Sequence, residues 1–170
     1  MRNKFKKLDF KMKAVQDTDR DWMRNFIIKQ WASEKIISRR KIYYPHKLPG
    51  FIAFDKSGYL GLITYFVNFK KKECEIITLD SLKEGKGMGT KLVEKVKRVA
   101  KKANCKRIWL ITTNDNLKAL RFWQKRGFCI KKVYPNALEY SRKIKPEIPL
   151  IGNDGIPLRD EIEIEIKFEK

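Results

Sequence analysis

From residue 9 onward, apolar positions recur at one of two periods, and each period forecasts an element. Residues 9–16 alternate loosely and read as a first strand. Trp22, Phe26, Ile27 and Trp31 repeat at helical spacing, and Asp17-Thr18-Asp19 supplies N-cap chemistry, so residues 19–31 read as an amphipathic helix. Residues 36–44 are short, β-rich and irregular, and the Pro-bounded stretch 45–50 is a loop. Two β-branched and aromatic runs, 51–55 and 59–69, flank a Gly-containing turn and read as a hairpin, which 73–80 extends to a third strand. Residues 87–103 give the clearest helix: Met88, Leu92, Val96, Val99 and Ala103 share one face, and Lys91, Lys95, Arg98 and Lys102 the other. Residues 107–113 read as a buried strand. The next helix, capped by Asn114 or Asp115, runs to Lys125 and stops at Gly127. Residues 128–134 form another strand.

Strand, helix, strand, helix, strand from Glu73 onward is βαβ logic, with parallel pairing across the helix 87–103. The front half is an antiparallel meander. The fold class is therefore α/β of the α+β type: a mixed, mostly antiparallel sheet with a parallel βαβ core, flanked by helices. The 170 residues suit one domain, 1–170, in which 136–170 is a C-terminal arm ending in a strand. Pro146, Pro149, Gly152, Gly155 and Pro157 make 145–158 turn-rich, and Ile162, Ile164, Ile166 and Phe168 then alternate with Glu161, Glu163, Glu165 and Lys167. That alternation reads as a half-buried strand with its glutamates facing solvent, and such a strand could pair across a homodimer. Asp160 and Glu161, at the end of the arm, could instead receive a cationic amine.

Charge and cysteine usage narrow the setting. The net charge is +20, which attracts polyanions, and the basic residues are spread over nearly every helix instead of forming one patch. Nucleic acid, an anionic membrane and a phosphorylated small molecule all fit that charge, but no nucleic-acid-binding motif is present. The basic start, 1–13, lacks an apolar region behind it and does not read as a secretory signal. No apolar run approaches membrane-spanning length. Cys74, Cys105 and Cys129 form no C-x-x-C pair, and with one histidine no metal-ligand spacing appears, so reduced thiols in a cytoplasmic protein are expected.

The chemistry concentrates in Glu84-Gly85-Lys86-Gly87-Met88-Gly89-Thr90, between a strand and a helix. Three glycines let backbone approach a ligand, and the helix end offers free N–H groups and a positive dipole, a site suited to a phosphate or pyrophosphate. The spacing completes neither a Walker P-loop nor G-x-G-x-x-G. About 25 residues on stands a second element, Asn116-x-x-Ala119-x-x-Phe122-Trp123-x-Lys125-x-Gly127-Phe128.

Together the two segments resemble the signature of the GNAT superfamily of acetyl-CoA-dependent N-acetyltransferases, sharply over 73–128. The resemblance implies that the amides of Gly85, Lys86, Gly87, Met88, Gly89 and Thr90 hold the pyrophosphate of acetyl-CoA. It implies that the backbone of Thr78, Leu79 and Asp80 pairs with the pantetheine arm as an added strand. Asn116 would contact the cofactor and Ala119 would leave room for it. Two positions depart from the family pattern: Glu84 stands where Gln or Arg is usual, and Trp123, at the cofactor, stands where a Tyr often protonates the departing thiolate. Indole N–H donates a hydrogen bond but releases no proton at useful pH, so an acid, if present, would be Tyr134, water or substrate. The general base is expected on the strand 73–80, as Glu75 or Glu73; Glu75 is preferred because it is flanked by Ile76-Ile77. The acceptor amine is not specified. Acyl-CoA binding without turnover is the second reading.

Overall fold

The computed structural model describes residues 9–168; the basic residues 1–8 of the start lie outside them. Seven strands, β1 (Lys11–Ala14), β4 (Gly50–Asp55), β5 (Gly58–Asn68), β6 (Glu73–Ser81), β7 (Arg107–Thr113), β8 (Cys129–Tyr134) and β9 (Glu161–Lys167), form one sheet. Their order across it is β1-β4-β5-β6-β7-β9-β8. A separate hairpin, β2 (Ile36–Ser38) with β3 (Lys41–Tyr43), lies beside it. The helices are α1 (Arg20–Trp31), α2 (Met88–Lys102), α3 (Leu117–Gln124) and α4 (Ala137–Ile144). Among the described residues only β6 and β7 pair in parallel, across α2, as the order of elements demands.

Two cores sandwich the sheet. On one face Met88, Leu92, Val93, Val96 and Ala100 of α2 pack with Ile63, Cys74, Ile108, Leu110 and Ile164, and α3 adds Trp123. On the other face Met23, Phe26 and Ile27 of α1 cover Ile52 and Leu62. The hairpin closes onto β6 through Ile36 and Tyr43 against Ile77.

Several expectations are corrected. Trp31 is not a core residue: it is more than a third exposed, and its indole N–H donates to Asp80 at 3.2 Å. The cap of α3 is Asn116, whose Oδ1 accepts from the Ala119 amide at 3.1 Å. Asn114 and Asp115 instead bind the C-terminal arm, Asn114 through Arg159 and Asp160 and Asp115 through Asn153. The arm carries a helix, α4, that the run of prolines and glycines hides.

The largest correction concerns β9. It is an interior strand, hydrogen-bonded to β7 on one side and β8 on the other, so it has no edge left for a dimer partner. The sheet's edges are β1 and β8. Glu161, Glu163 and Glu165 are buried and do not face solvent. Arg107 explains this: its Nη1 donates to Glu163 and Glu165, both at 2.7 Å, and its Nε donates to Glu73 at 3.1 Å. Glu161 accepts from Arg39 at 3.1 Å. Buried carboxylates persist where a cation and hydrogen bonds offset their lost hydration.

Candidate active site

The site begins with a misfit in the sheet. Along β5 and β6 the register runs Thr64↔Thr78 and then Tyr65↔Ile76, which leaves Ile77 as an extra residue on β6. A β-bulge of this kind bends and twists its strand. On the other side of β6 the parallel ladder with β7 ends at the same point, Ile76↔Leu110. Beyond it β6 continues to Ser81 and β7 to Thr113 without pairing to each other, so the sheet opens as a wedge. The β6 edge facing that wedge, which includes Thr78, Leu79 and Asp80, has backbone groups to offer.

Both helices that follow the splayed strands start at the mouth of the wedge. Gly87 caps α2 in the left-handed region at φ 78°, a conformation that costs other residues energy. A Cβ at Gly89 would sit 3.2 Å from the Phe122 ring, so glycine there lets α3 close against the head of α2. Met88 is buried and anchors the helix, while its amide belongs to the unpaired first turn. Thr90 is held by a residue that the motif gave no reason to single out: Arg126 donates through Nε and Nη2 to the Thr90 hydroxyl at 2.9 and 2.6 Å, and its guanidinium stacks 3.5 Å from the Phe122 ring centre. Among the described residues Arg126 forms no ion pair, so its guanidinium places a cation beside the head of α2. Glu84, the departure in the motif, is largely exposed and lies 3.7 Å from Lys118.

Asn116 lines the wedge, but its side-chain oxygen is spent on the α3 cap. Ala119 packs at the margin of the core. Trp123 is not at a surface: it is buried, edge-on to Phe122 and Phe128. Tyr134 is drawn elsewhere, its hydroxyl donating to Glu163 at 2.6 Å beneath the Arg39 guanidinium. Asp80 is pushed up to about 6 by burial, against the hydrogen bond from Trp31.

On the α1 face the wedge widens into a cavity of about 480 Å³, walled by the splayed strands, the end of α1, β2, α4 and the arm. Glu75 does not line it. Its carboxylate is buried behind Ser38, which does line the cavity and donates to Oε1 at 2.5 Å; Tyr43 donates to the other oxygen at 2.7 Å. Burial raises the Glu75 pKa above its ordinary value, and the bonds from Ser38 and Tyr43 only partly offset that. Glu73, the first residue of β6, lines a small pocket together with Glu75 but is held by Arg107, whereas Glu75 is held by Ser38 and Tyr43, so only Glu75 connects through Ser38 to the larger cavity. Ser38 and Tyr43 lie on a hairpin whose irregular sequence carried no signal of contact with β6. Among the described residues no helix is long and apolar enough to cross a membrane, and no group of His, Cys, Asp and Glu converges as a metal site.

Comparison with known proteins agrees with this architecture. Two uncharacterised Bacillus subtilis proteins are similar in sequence. YdhI is 47% identical over 81% of this chain and 86% of its own length, and YxbD is 44% identical over 84% and 89%. Among solved structures, an IAA acetyltransferase from Bacillus cereus matches with TM-score 0.73 at 19% identity, covering 94% of this chain and all of that one. A Bacillus subtilis acetyltransferase in complex with CoA matches with TM-score 0.66 at 17% identity, over 95% and 100%. Arabidopsis thaliana Naa50, in complex with a bisubstrate analogue, matches with TM-score 0.69 at 19% identity, over 95% and 100%. At these identities the structural likeness is one of fold. The model of the acetyltransferase (GNAT) family matches residues 14–128, and with that span and those relatives the chain belongs to the GNAT acetyltransferase family.

Proposed function

We propose that the protein is an N-acetyltransferase that moves an acetyl group from acetyl-CoA to a primary amine within a ternary complex, and that it works as one domain in the cytoplasm. The observation that carries this reading is the coincidence of the Ile77 bulge, the end of the β6–β7 ladder and the two helix heads at one mouth. The residues present fit acetyl-CoA. The free β6 edge at Thr78–Asp80 suits an extended amide-bearing arm, and the first-turn amides of α2, with Lys86 and Arg126 nearby, suit a pyrophosphate. A backbone N–H near Leu79 or Asp80 would steady the thioester oxygen.

Bound acetyl-CoA supplies an activated thioester; a neutral amine attacks it, a C–N bond forms and the C–S bond breaks. In this reading the surplus proton on nitrogen passes to the Ser38 hydroxyl as Ser38 gives its own proton to Glu75. Burial raises the Glu75 pKa, which makes its carboxylate a stronger base than an ordinary glutamate. That proton ultimately restores the CoA thiol. Direct transfer is favoured over a cysteine intermediate, since Cys74 lies in the α2-side core with its thiol pushed up to about 12 by burial.

The test is release of CoA from acetyl-CoA in the presence of amines, with Ser38→Ala and Glu75→Gln compared singly and together. Both variants should lower kcat by about 10²-fold or more, and the double variant should lose little beyond either one. Independent, multiplying losses would contradict the relay. One observation favours a second reading, acyl-CoA binding without turnover. Trp123 is buried at the position where the family often has an acid, and it offers no proton to a leaving thiolate. Tight binding with no acetylated product from any amine would select that reading.

A further inference from the structure

The walls of the cavity bear on which amine is accepted. Its volume, about 480 Å³ including the wedge that the cofactor arm would share, falls in the range of small-molecule sites, roughly 300–1,000 Å³. The floor is Ile77 and Ile111 of the splayed strands, and the sides include Ile36, Leu138, Ile148 and Leu158. An apolar lining of this kind rewards an aliphatic or aromatic body.

The roof is fastened. Lys145, buried just after α4, donates to the main-chain carbonyls of Trp31 at 2.7 Å and Lys35 at 3.2 Å, tying the arm across the end of α1. Arg142 donates to the carbonyls of Ile148, Pro149 and Leu158, which holds the arm in its folded course. Buried Asp115 accepts from the Asn153 amide and side chain, both at 2.8 Å, and fixes the far end of the arm to the end of β7. A peptide or a lysine on a folded protein needs an open groove to bring its backbone to the wedge. These ties cross the space such a groove would occupy.

The charges in the cavity also discriminate. Of the lining residues, two are carboxylates. Glu147 is exposed at the rim, and Glu161, inside, is already matched by Arg39. A polyamine would bring a second and third ammonium among isoleucines and leucines with no interior carboxylate left to meet them. Such burial is costly.

From these walls, ties and charges we infer that the acceptor is a small monoamine with an apolar body, seated between the splayed strands and the arm 145–158. Peptide termini, protein lysines and polyamines are excluded. This rests on the reading of the cavity as the acceptor side of an N-acetyltransferase.

The test has two arms on the full-length protein. In the first, hexylamine, phenethylamine, spermidine and an alanine-initiated hexapeptide are titrated calorimetrically into protein saturated with CoA, which reads the seat without turnover. In the second, the same amines are assayed with acetyl-CoA and the products weighed by mass spectrometry. Either monoamine should bind at least tenfold more tightly than spermidine or the peptide. Its kcat/KM should be at least tenfold higher. Ile148→Trp, which fills the cavity from the arm, should raise the monoamine KM tenfold or more and leave the Kd for acetyl-CoA unchanged. Preference for spermidine or the peptide, in either arm, overturns the inference while acetyl transfer stands. An unchanged KM in Ile148→Trp does the same. Monoamine binding without any acetylated product would uphold the seat and refute the transfer reading.

Discussion

Glu75 and Arg107 lie on one face of the sheet and handle buried charge in opposite ways. Glu75 has two neutral hydroxyl donors and no salt bridge, so burial dominates and its pKa rises. A base must be deprotonated to act, so kcat/KM should climb with pH through an apparent pKa above the ordinary glutamate range, and Glu75→Gln should flatten that limb. The same shift has a thermodynamic sign. The folded state holds its proton to higher pH than the unfolded chain, so stability falls as pH rises from the ordinary glutamate value through the raised one. Denaturation of Glu75→Gln across that interval should lose this fall, so that above it the variant is about 10²-fold slower yet no less stable than the wild type. Arg107 instead serves three carboxylates at once. Arg107→Ala takes the hydrogen-bonded cation from Glu163 and Glu165, leaving Glu165 only the longer contacts to Lys131 and Lys167 at 3.8 and 3.7 Å, and urea denaturation should show a loss of about 3 kcal/mol or more. An unaffected midpoint would mean that those glutamates reach water more easily than their burial indicates.

At the scale of elements, Asn116 is the clearest case of a motif residue with a structural duty. Its side chain caps the eight-residue α3, so Asn116→Ala should cost about 1 kcal/mol whether or not acetyl-CoA is present, while Asn116→Asp should cost little. A loss seen only in cofactor affinity would return Asn116 to the ligand. The order of strands and helices from 51 to 134 was legible because each segment kept one period, and the glycine turn was legible because its glycines stand where a helix begins. The rest was hidden for physical reasons. The Ile77 bulge leaves no periodic trace, since Ile76-Ile77 reads as apolar on both faces. The Glu161, Glu163, Glu165 alternation is the pattern of a half-solvated strand, and only Arg107, some 55 residues upstream in sequence, turns it into an interior one. α4 is short and follows Pro135, and the prolines behind it make the whole tail read as loop. Ser38 and Arg126 act only through tertiary neighbours, which spacing along the chain does not encode.

For the whole molecule, burial sharpens the charge. Among the described residues Asp19, Glu75, Asp115, Asp160, Glu161, Glu163 and Glu165 are buried, against Lys145 alone of the cations, so the exterior is more basic than the net +20 implies. CoA carries several negative charges, and such a surface should steer it. The association rate for acetyl-CoA, measured by stopped flow, should fall several-fold between about 0.02 and 0.2 M salt while dissociation changes less. The central claim is that the wedge beyond Ile76 and the head of α2 form one cofactor seat. Amide hydrogen exchange with and without acetyl-CoA tests it most directly. The account predicts slowed exchange at Thr78–Asp80 and across 85–90, with the edge strands β1 and β8 unchanged. Binding that leaves those two segments unprotected, or no binding by the folded protein, would contradict it.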